Sequence, residues 1–179
     1  MAPHPRAFIY RLLWLSAIGC LLASAAHAEN PLCPGLANAL SEPPGTGHRE
    51  VFVSTYTRHW SPSDEHRQVL AMSAQQNLVD DRFCGFSLFT NSFGQPSVYV
   101  FVGKTWPHPI PALPKLFTSV SAGALYGYVH PYQNKVPFNV GGFSPGIVPT
   151  LGYQITPNVS LQTRWLGFAA VMIGATLRY

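Results

Sequence analysis

The sequence predicts an all-β protein, an eight-stranded antiparallel outer-membrane β-barrel with a short N-terminal periplasmic arm. Three observations favour this class. Residues 86–106 form two apolar runs around a polar tip, and the second run alternates between two faces with the period of two that a strand requires. Residues 171–179 alternate in the same way and stop on an aromatic residue. The chain begins with a segment typical of a signal peptide, and no later segment is an apolar helix of spanning length.

Eight strand-like runs, separated by turn residues, follow the first 50 residues. An even number of strands permits antiparallel closure into a barrel. The predicted strands are 51–60, 68–77, 83–92, 96–104, 115–128, 142–153, 158–166 and 169–179. Aromatic residues near predicted strand ends are expected to form girdles at the membrane interfaces: Trp60, Trp106, Tyr126, Tyr128, Tyr132 and Trp165.

The N-terminal part of the chain divides into two segments before the barrel. Residues 1–28 carry two arginines, an apolar run and an Ala-His-Ala cleavage site, which predicts a cleaved secretory signal peptide. Residues 29–50 are rich in Pro and Gly and are predicted to form the periplasmic arm, and 51–179 the barrel. The net charge of +4 is small, and nothing in the sequence indicates a nucleic-acid partner.

Two cysteines, Cys33 and Cys84, remain after the signal peptide is removed. If both termini lie in the periplasm, both cysteines fall on the periplasmic side of the barrel. Export permits a disulfide between them. Because the sequence does not give the distance that a bridge requires, a disulfide and two unpaired buried thiols both remain open.

Strand direction brings three polar residues to one rim. The first and third strands rise in the same direction, so their upper ends, His59 and the pair Asn91-Ser92, are expected on the extracellular rim. A histidine beside a serine is a combination that general-base or nucleophilic chemistry uses. His66, His108 and His130 are interpreted as loop residues.

These segments resemble the lipid A palmitoyltransferase family (PagP). The resemblance rests on Thr57-Arg58-His59-Trp60 closing the first strand, and on Phe89-Thr90-Asn91-Ser92-Phe93 followed by the apolar strand 98–103. In that family a His ends the first strand, an Asp-Ser pair ends the third, and an eight-stranded outer-membrane barrel holds an acyl chain in its lumen. By position His59 and Ser92 carry over, whereas Asn91 stands where the family has Asp.

The resemblance implies an enzyme that moves a palmitoyl chain from a phospholipid to lipid A. His59 would be the general base, and Ser92 would orient it, donate a hydrogen bond or carry the acyl group. Asn91 would fix the imidazole tautomer or donate to the oxyanion, and Asp64 or Glu65 is a candidate for the missing charge. No cofactor or metal is expected, and the protein is expected to work as a monomer in the outer membrane.

The resemblance also implies a pocket for the acyl chain and an entrance to that pocket. Pro145 and Pro149 interrupt the sixth strand, similar to the family's lateral entrance for lipid. Arg58, Arg67 and Lys135 are candidate contacts for lipid A phosphates. The residues expected to line the pocket are Phe89, Tyr99, Phe101, Phe117, Leu125, Gly123 and Gly127.

Two other functions fit the same sequence. A small non-enzymatic barrel would serve adhesion or envelope stability, and long polar surface loops would favour it. A lipid A deacylase would use similar His and Ser residues with water as the acceptor.

Overall fold

The computed structural model describes residues 32–43, 45–46 and 48–179, and the predicted signal peptide lies outside them. Eight strands form a closed antiparallel barrel in sequence order, with β8 bonded to β1. Their bounds are β1 Arg49–His59, β2 Ala71–Asn77, β3 Arg82–Thr90, β4 Pro96–Pro107, β5 Leu116–Tyr126, β6 Phe143–Thr156, β7 Val159–Leu166 and β8 Ala170–Arg178. The predicted eight-stranded antiparallel barrel is therefore confirmed.

Short helical segments complete the described part of the chain. The six-residue helix α1, Leu36–Ser41, precedes β1, and single 3-10 turns occupy Val79–Asp81 and Gln133–Lys135. Among the described residues, no helix combines the length and the apolar character needed to cross a membrane.

Side chains alternate between the lumen and the outer surface of the barrel. In β4, Tyr99 and Phe101 are buried in the lumen, whereas Val100 between them is 58% exposed. The same alternation leaves an apolar side chain exposed on the outer face of every strand: Val53, Met72, Leu88, Val100, Val120, Leu151, Leu161 and Ile173. The wall is thus apolar on the outside around its whole circumference.

Two apolar clusters occupy the lumen. The first contains Phe52, Val69, Ala71 and Met172. The second contains Phe83, Tyr99 and Phe101. Phe89 packs against both clusters and joins them.

Two seams, the boundaries between the neighbouring strands β6 and β7 and between β1 and β2, are hydrogen-bonded over only part of their length. β6 pairs with β5 along residues 143–153, including Pro145 and Pro149, but its pairing with β7 begins only at Thr150. β1 pairs with β2 only as far as Ser54. The upper part of β6, residues 143–149, therefore has no strand partner on the β7 side.

The arm is attached to the outside of the barrel, at the end where β1 begins and β8 ends. A disulfide joins Cys33 of the arm to Cys84 of β3, with the Cα atoms 6.0 Å apart. The Nη2 atom of Arg49 also donates to the carbonyls of Leu40 (3.0 Å) and Glu42 (2.7 Å). Of the two possibilities for the cysteines, the structure contains the disulfide.

Candidate active site

A β-bulge turns His59 towards the lumen. Phe52 faces inward, and regular alternation from it would direct residue 59 outward. Between Val53 and Tyr56, however, β1 contains one more residue than β8 opposite it. The hydroxyl of Ser54 donates to the carbonyl of Ile173 (2.6 Å) and accepts from the N–H of Tyr56 (3.3 Å), which stabilises the bulge. An extra residue reverses the facing of those that follow, so His59 lines the cavity.

Ser92 lies in the tight turn between β3 and β4. The side-chain carbonyl of Asn91 accepts hydrogen bonds from the N–H groups of Phe93 and Gln95, both at 3.0 Å. Gly94 has φ of +79°, a conformation that glycine adopts at little cost. The carbonyl of Ser92 accepts from the N–H of Arg67 at 2.7 Å, which ties this turn to the β1–β2 loop.

The bulge in β1 and the turn between β3 and β4 bring the imidazole of His59 against the hydroxyl of Ser92. Nε2 of His59 lies 2.6 Å from Oγ of Ser92. Both side chains are half-buried and line the cavity. The imidazole and the hydroxyl are therefore within hydrogen-bond distance of each other, and both face the space in which a substrate could lie.

A group of rings surrounds this pair. His66 stacks on His59 with ring centroids 4.1 Å apart, and Phe93 approaches the edge of His66 at 5.7 Å. Tyr132 stacks on Phe93 at 4.3 Å, and the Lys135 ammonium lies 5.2 Å from the Phe93 centroid. Imidazole and aromatic rings therefore enclose the pair on the rim.

Tyr128 is a further candidate functional residue, which the direction of the strands did not predict to lie at this site. Burial raises the pKa of Tyr128 above its ordinary value of 10.0, while hydrogen bonds from Ser92 oppose that shift. Its phenol therefore remains a neutral donor at physiological pH. It was expected in an interface girdle, yet it lines the cavity. The contacts of its loop across the rim, which the sequence does not reveal, turn it inward.

Asn91 helps to hold the Tyr128 segment at the site. Its Nδ2 donates to the carbonyl of Gly127, next to Tyr128, at 3.2 Å. Nδ2 of Asn139 donates to the Tyr128 carbonyl at 2.9 Å. The Asn91 side chain has no hydrogen bond to His59 or Ser92, because its amide is used within the turn and across to Gly127.

The remaining candidate side chains lie around the rim without contacting the His59–Ser92 pair. Glu65 forms a 3.1 Å ion pair with Lys135, and both are exposed. Asp64 is exposed as well. Arg58 and Arg67 are exposed, and neither has an ion-pair partner in the described part of the chain.

A large cavity begins beneath the pair. Its volume is about 1390 Å³, and it extends from the rim to the opposite mouth, where His108 and Lys115 line it. Five of the predicted pocket residues line it: Phe89, Tyr99, Phe101, Phe117 and Leu125. Gly123 and Gly127 do not. The backbone of Val100 approaches Gly123 too closely for a Cβ, and the side chain of Ser97 lies equally close to Gly127.

The lumen is less apolar than the sequence suggested. Buried hydroxyl groups face it at half the height of several strands: Ser73, Ser87, Ser119, Ser121 and Thr150. The Tyr99 hydroxyl lies 3.3 Å from that of Ser121 and donates to the Gly146 carbonyl at 3.2 Å. Apolar lining is therefore interrupted by a polar belt.

Comparisons with known proteins inform the fold alone. No protein-family model and no curated protein matches the chain. A solved structure described as "De novo design of transmembrane beta-barrels" is similar, with a TM-score of 0.55 and 19% sequence identity. The match covers 74% of this chain and 96% of that one. The similarity agrees with the barrel architecture described above.

The geometry of the rim suits acyl transfer. It provides a base beside a hydroxyl, with the neutral Tyr128 phenol as a second donor for a developing oxyanion. No group of three or more His, Cys, Asp or Glu side chains in the described ranges could hold a metal ion.

Proposed function

We propose that this protein is an outer-membrane acyltransferase that moves a palmitoyl chain from a phospholipid to lipid A. The observation that carries the proposal is the 2.6 Å contact between His59 Nε2 and Ser92 Oγ at the mouth of the lumenal cavity. A base and a hydroxyl at this position would meet an ester whose acyl chain extends into the barrel.

The outer surface supports insertion in a membrane. Soluble monomers rarely expose a continuous apolar surface, because its contact with water is unfavourable. Here every strand exposes an apolar side chain on its outer face. A closed barrel also pairs its backbone groups internally, as a bilayer requires. With the predicted signal peptide, these features favour the outer membrane, which is also where lipid A is found.

The partly paired seam between β6 and β7 supports lateral entry of lipid. Residues 143–149 have no β7 partner, and Pro145 and Pro149 lack N–H groups. Ser144 also has a buried hydroxyl without a hydrogen-bond partner. An acyl chain passing from the bilayer into the lumen would break few strand hydrogen bonds at this seam.

The proposed reaction uses three side chains at the rim. His59 Nε2 takes the proton of the lipid A hydroxyl as its oxygen forms a bond to the phospholipid ester carbonyl. The hydroxyls of Ser92 and Tyr128 donate to the resulting oxyanion. When the intermediate collapses, the ester bond to the phospholipid breaks, and its leaving oxygen takes the proton from His59. The products are acylated lipid A and a lysophospholipid.

The same His–Ser contact also fits a hydrolase. If His59 activates water in place of a lipid A hydroxyl, the acyl group leaves as a free fatty acid. Transfer is favoured here because the rim carries exposed cations, Arg58 and Arg67, beside the site, and the acceptor lipid bears phosphate groups. Asn91 acts as a positioning residue that holds the Ser92 turn against the Tyr128 segment.

Mass spectrometry of lipid A tests the proposal in cells. Gram-negative cells that express the protein should contain lipid A heavier by one palmitoyl group, and cells that express His59→Ala should not. A loss of acyl groups would indicate the deacylase, and unchanged lipid A would contradict both enzymatic functions. The exposed variant His130→Ala is the matched control, because His130 has no part in the proposed site.

A further inference from the structure

The hydrogen bonds of the site do not explain what orients the ring of His59. Its Nε2 lies 2.6 Å from Oγ of Ser92, and no other hydrogen bond of this imidazole occurs in the described part of the chain. A general base is ordinarily oriented by a third group, which bonds its second ring nitrogen. The amide of Asn91 is used elsewhere, and Glu65 pairs with Lys135. The His59 ring therefore needs another support.

His66 places a flat ring against that imidazole. The two rings are stacked, with centroids 4.1 Å apart and planes inclined by 30°. His66 lies in the loop between β1 and β2, where it alone is half-buried and the other residues of 60–68 are exposed. Like His59, it lines the cavity. One ring of an otherwise exposed loop is therefore turned inward onto the proposed base.

The backbone holds His66 in place from both sides in the sequence. Its N–H donates to the Ser63 carbonyl at 3.0 Å, which closes a turn before it. The N–H of Arg67 donates to the Ser92 carbonyl at 2.7 Å, so the next residue is bonded to the turn that carries the proposed hydroxyl. Val69 is buried in the lumen and anchors the end of the loop. The backbone around His66 is thus fixed relative to Ser92.

Further rings restrict the movement of His66. Phe93 meets it edge-on, with centroids 5.7 Å apart, and Tyr132 stacks on Phe93 at 4.3 Å. These rings lie on the β1–β2, β3–β4 and β5–β6 loops, so the series joins the end of β1 to three loops. Aromatic pairs in these geometries attract one another beyond the effect of burial alone. The series therefore reduces the number of orientations open to the His59 imidazole.

We infer that His66 is a positioning residue, whose stacked ring keeps Nε2 of His59 beside Ser92 at the mouth of the cavity. The inference rests on the proposed function, in which His59 is the general base. Stacking can replace an orienting hydrogen bond, because an imidazole that cannot rotate keeps the same nitrogen at the reacting group. His66 itself transfers no proton. Its contribution comes from a flat ring, so a different flat ring at position 66 should serve as well.

Two substitutions of His66 separate stacking from imidazole chemistry. In protein refolded in detergent with lipid A and a labelled phospholipid, His66→Ala should lower kcat about 10²-fold with KM little changed, because the base is no longer oriented. His66→Phe retains a flat ring without ring nitrogens and should recover most of that loss. The control His130→Ala removes an exposed histidine from the loop that carries Tyr132, and its kcat should match that of wild type.

Nuclear magnetic resonance follows the contact without reference to activity. The ring current of a stacked neighbour displaces the Hε1 signal of His59 upfield. In histidine-labelled protein at one alkaline pH, this displacement should be present in wild type and in His66→Phe, and it should be lost in His66→Ala. Circular dichroism and heat-dependent gel mobility establish that each variant is folded.

The outcomes distinguish this inference from the proposed function. Absence of transfer by folded wild-type protein overturns both. If wild type transfers the palmitoyl chain, the role of His66 is overturned by an unchanged kcat in His66→Ala, by a change confined to KM, or by a His66→Phe variant as impaired as His66→Ala. A His59 signal that is the same in wild type and in His66→Ala overturns it as well.

Discussion

Asn91 shows how one buried side chain can serve a site without taking part in its chemistry. It is 1% exposed, and its carbonyl accepts two backbone hydrogen bonds while its Nδ2 donates to Gly127. The sequence suggested a catalytic amide because Asn91 stands where the resembling family has Asp. Its partner Gly127 lies on a loop distant in sequence, and no local pattern identifies that contact.

Replacing Asn91 by Asp should reduce both stability and transfer. A carboxylate retains the two acceptor contacts but has no N–H to donate to the Gly127 carbonyl. Its buried negative charge would then lie against the carbonyl oxygen of Gly127, which is the negative end of that dipole. The expected loss is about 1–3 kcal/mol in the free energy of unfolding, with a lower transfer rate. Asn38→Asp, at an exposed position of α1, is the control and should change neither. Unchanged activity in Asn91→Asp would contradict the positioning role.

The Tyr128 hydroxyl should contribute to the rate rather than to substrate binding. Tyr128→Phe removes only the oxygen that interacts with Ser92 and should lower kcat about 10²-fold with KM little changed, the effect of losing one oxyanion donor. Tyr132→Phe removes a hydroxyl from the same loop and preserves the stacking on Phe93, so its kcat should match that of wild type. A change confined to KM in Tyr128→Phe would refute the oxyanion role.

At the scale of single elements, β1 contains a bulge that the alternating pattern of the sequence does not predict. Strand direction correctly predicted that His59 and Ser92 share a rim, because that inference needs only the number of strands. The facing of His59 depends on the bulge between Val53 and Tyr56. A bulge shifts the alternation by one residue, but residues 54–59 are mostly polar on both faces, so the sequence could not locate it.

The arm should stabilise the barrel without affecting catalysis. The disulfide between Cys33 and Cys84 joins the arm to the barrel end opposite His59. Replacing both cysteines with Ser should lower the free energy of unfolding by about 2–4 kcal/mol, because the unfolded chain gains freedom. Denaturant titration of the refolded protein measures this, and the transfer rate should be unchanged. A lost rate in a folded double variant would mean that the arm acts on the rim.

The seam between β6 and β7 should have to open for transfer. Continuing their register would place residue 149 opposite Trp165, just above the pair Thr150 and Arg164. A disulfide between Pro149→Cys and Trp165→Cys should abolish transfer until reductant is added. The pair Leu151→Cys and Thr163→Cys joins two residues that already pair between β6 and β7. This variant should retain activity in its oxidised and its reduced form. Equal activity in the two oxidised pairs would rule out this entrance.

For the whole molecule, the barrel was predictable and its interior was not. Eight alternating runs and few charges indicate a closed antiparallel sheet, because each strand's pattern is set by its two faces. Which side chains meet inside depends on stagger between strands distant in sequence. The polar belt around Ser121 and the stacking of Arg164 on Phe52 arise from that stagger.

The reconstituted reaction tests the central claim most directly. Wild-type protein refolded in detergent, supplied with lipid A and a phospholipid carrying an isotopically labelled palmitoyl chain, is analysed by mass spectrometry. We predict labelled palmitoyl on lipid A and an equal amount of lysophospholipid, and a loss of about 10²- to 10⁴-fold in rate for His59→Ala. Absence of labelled lipid A with folded wild-type protein, or equal transfer by His59→Ala, would contradict the account.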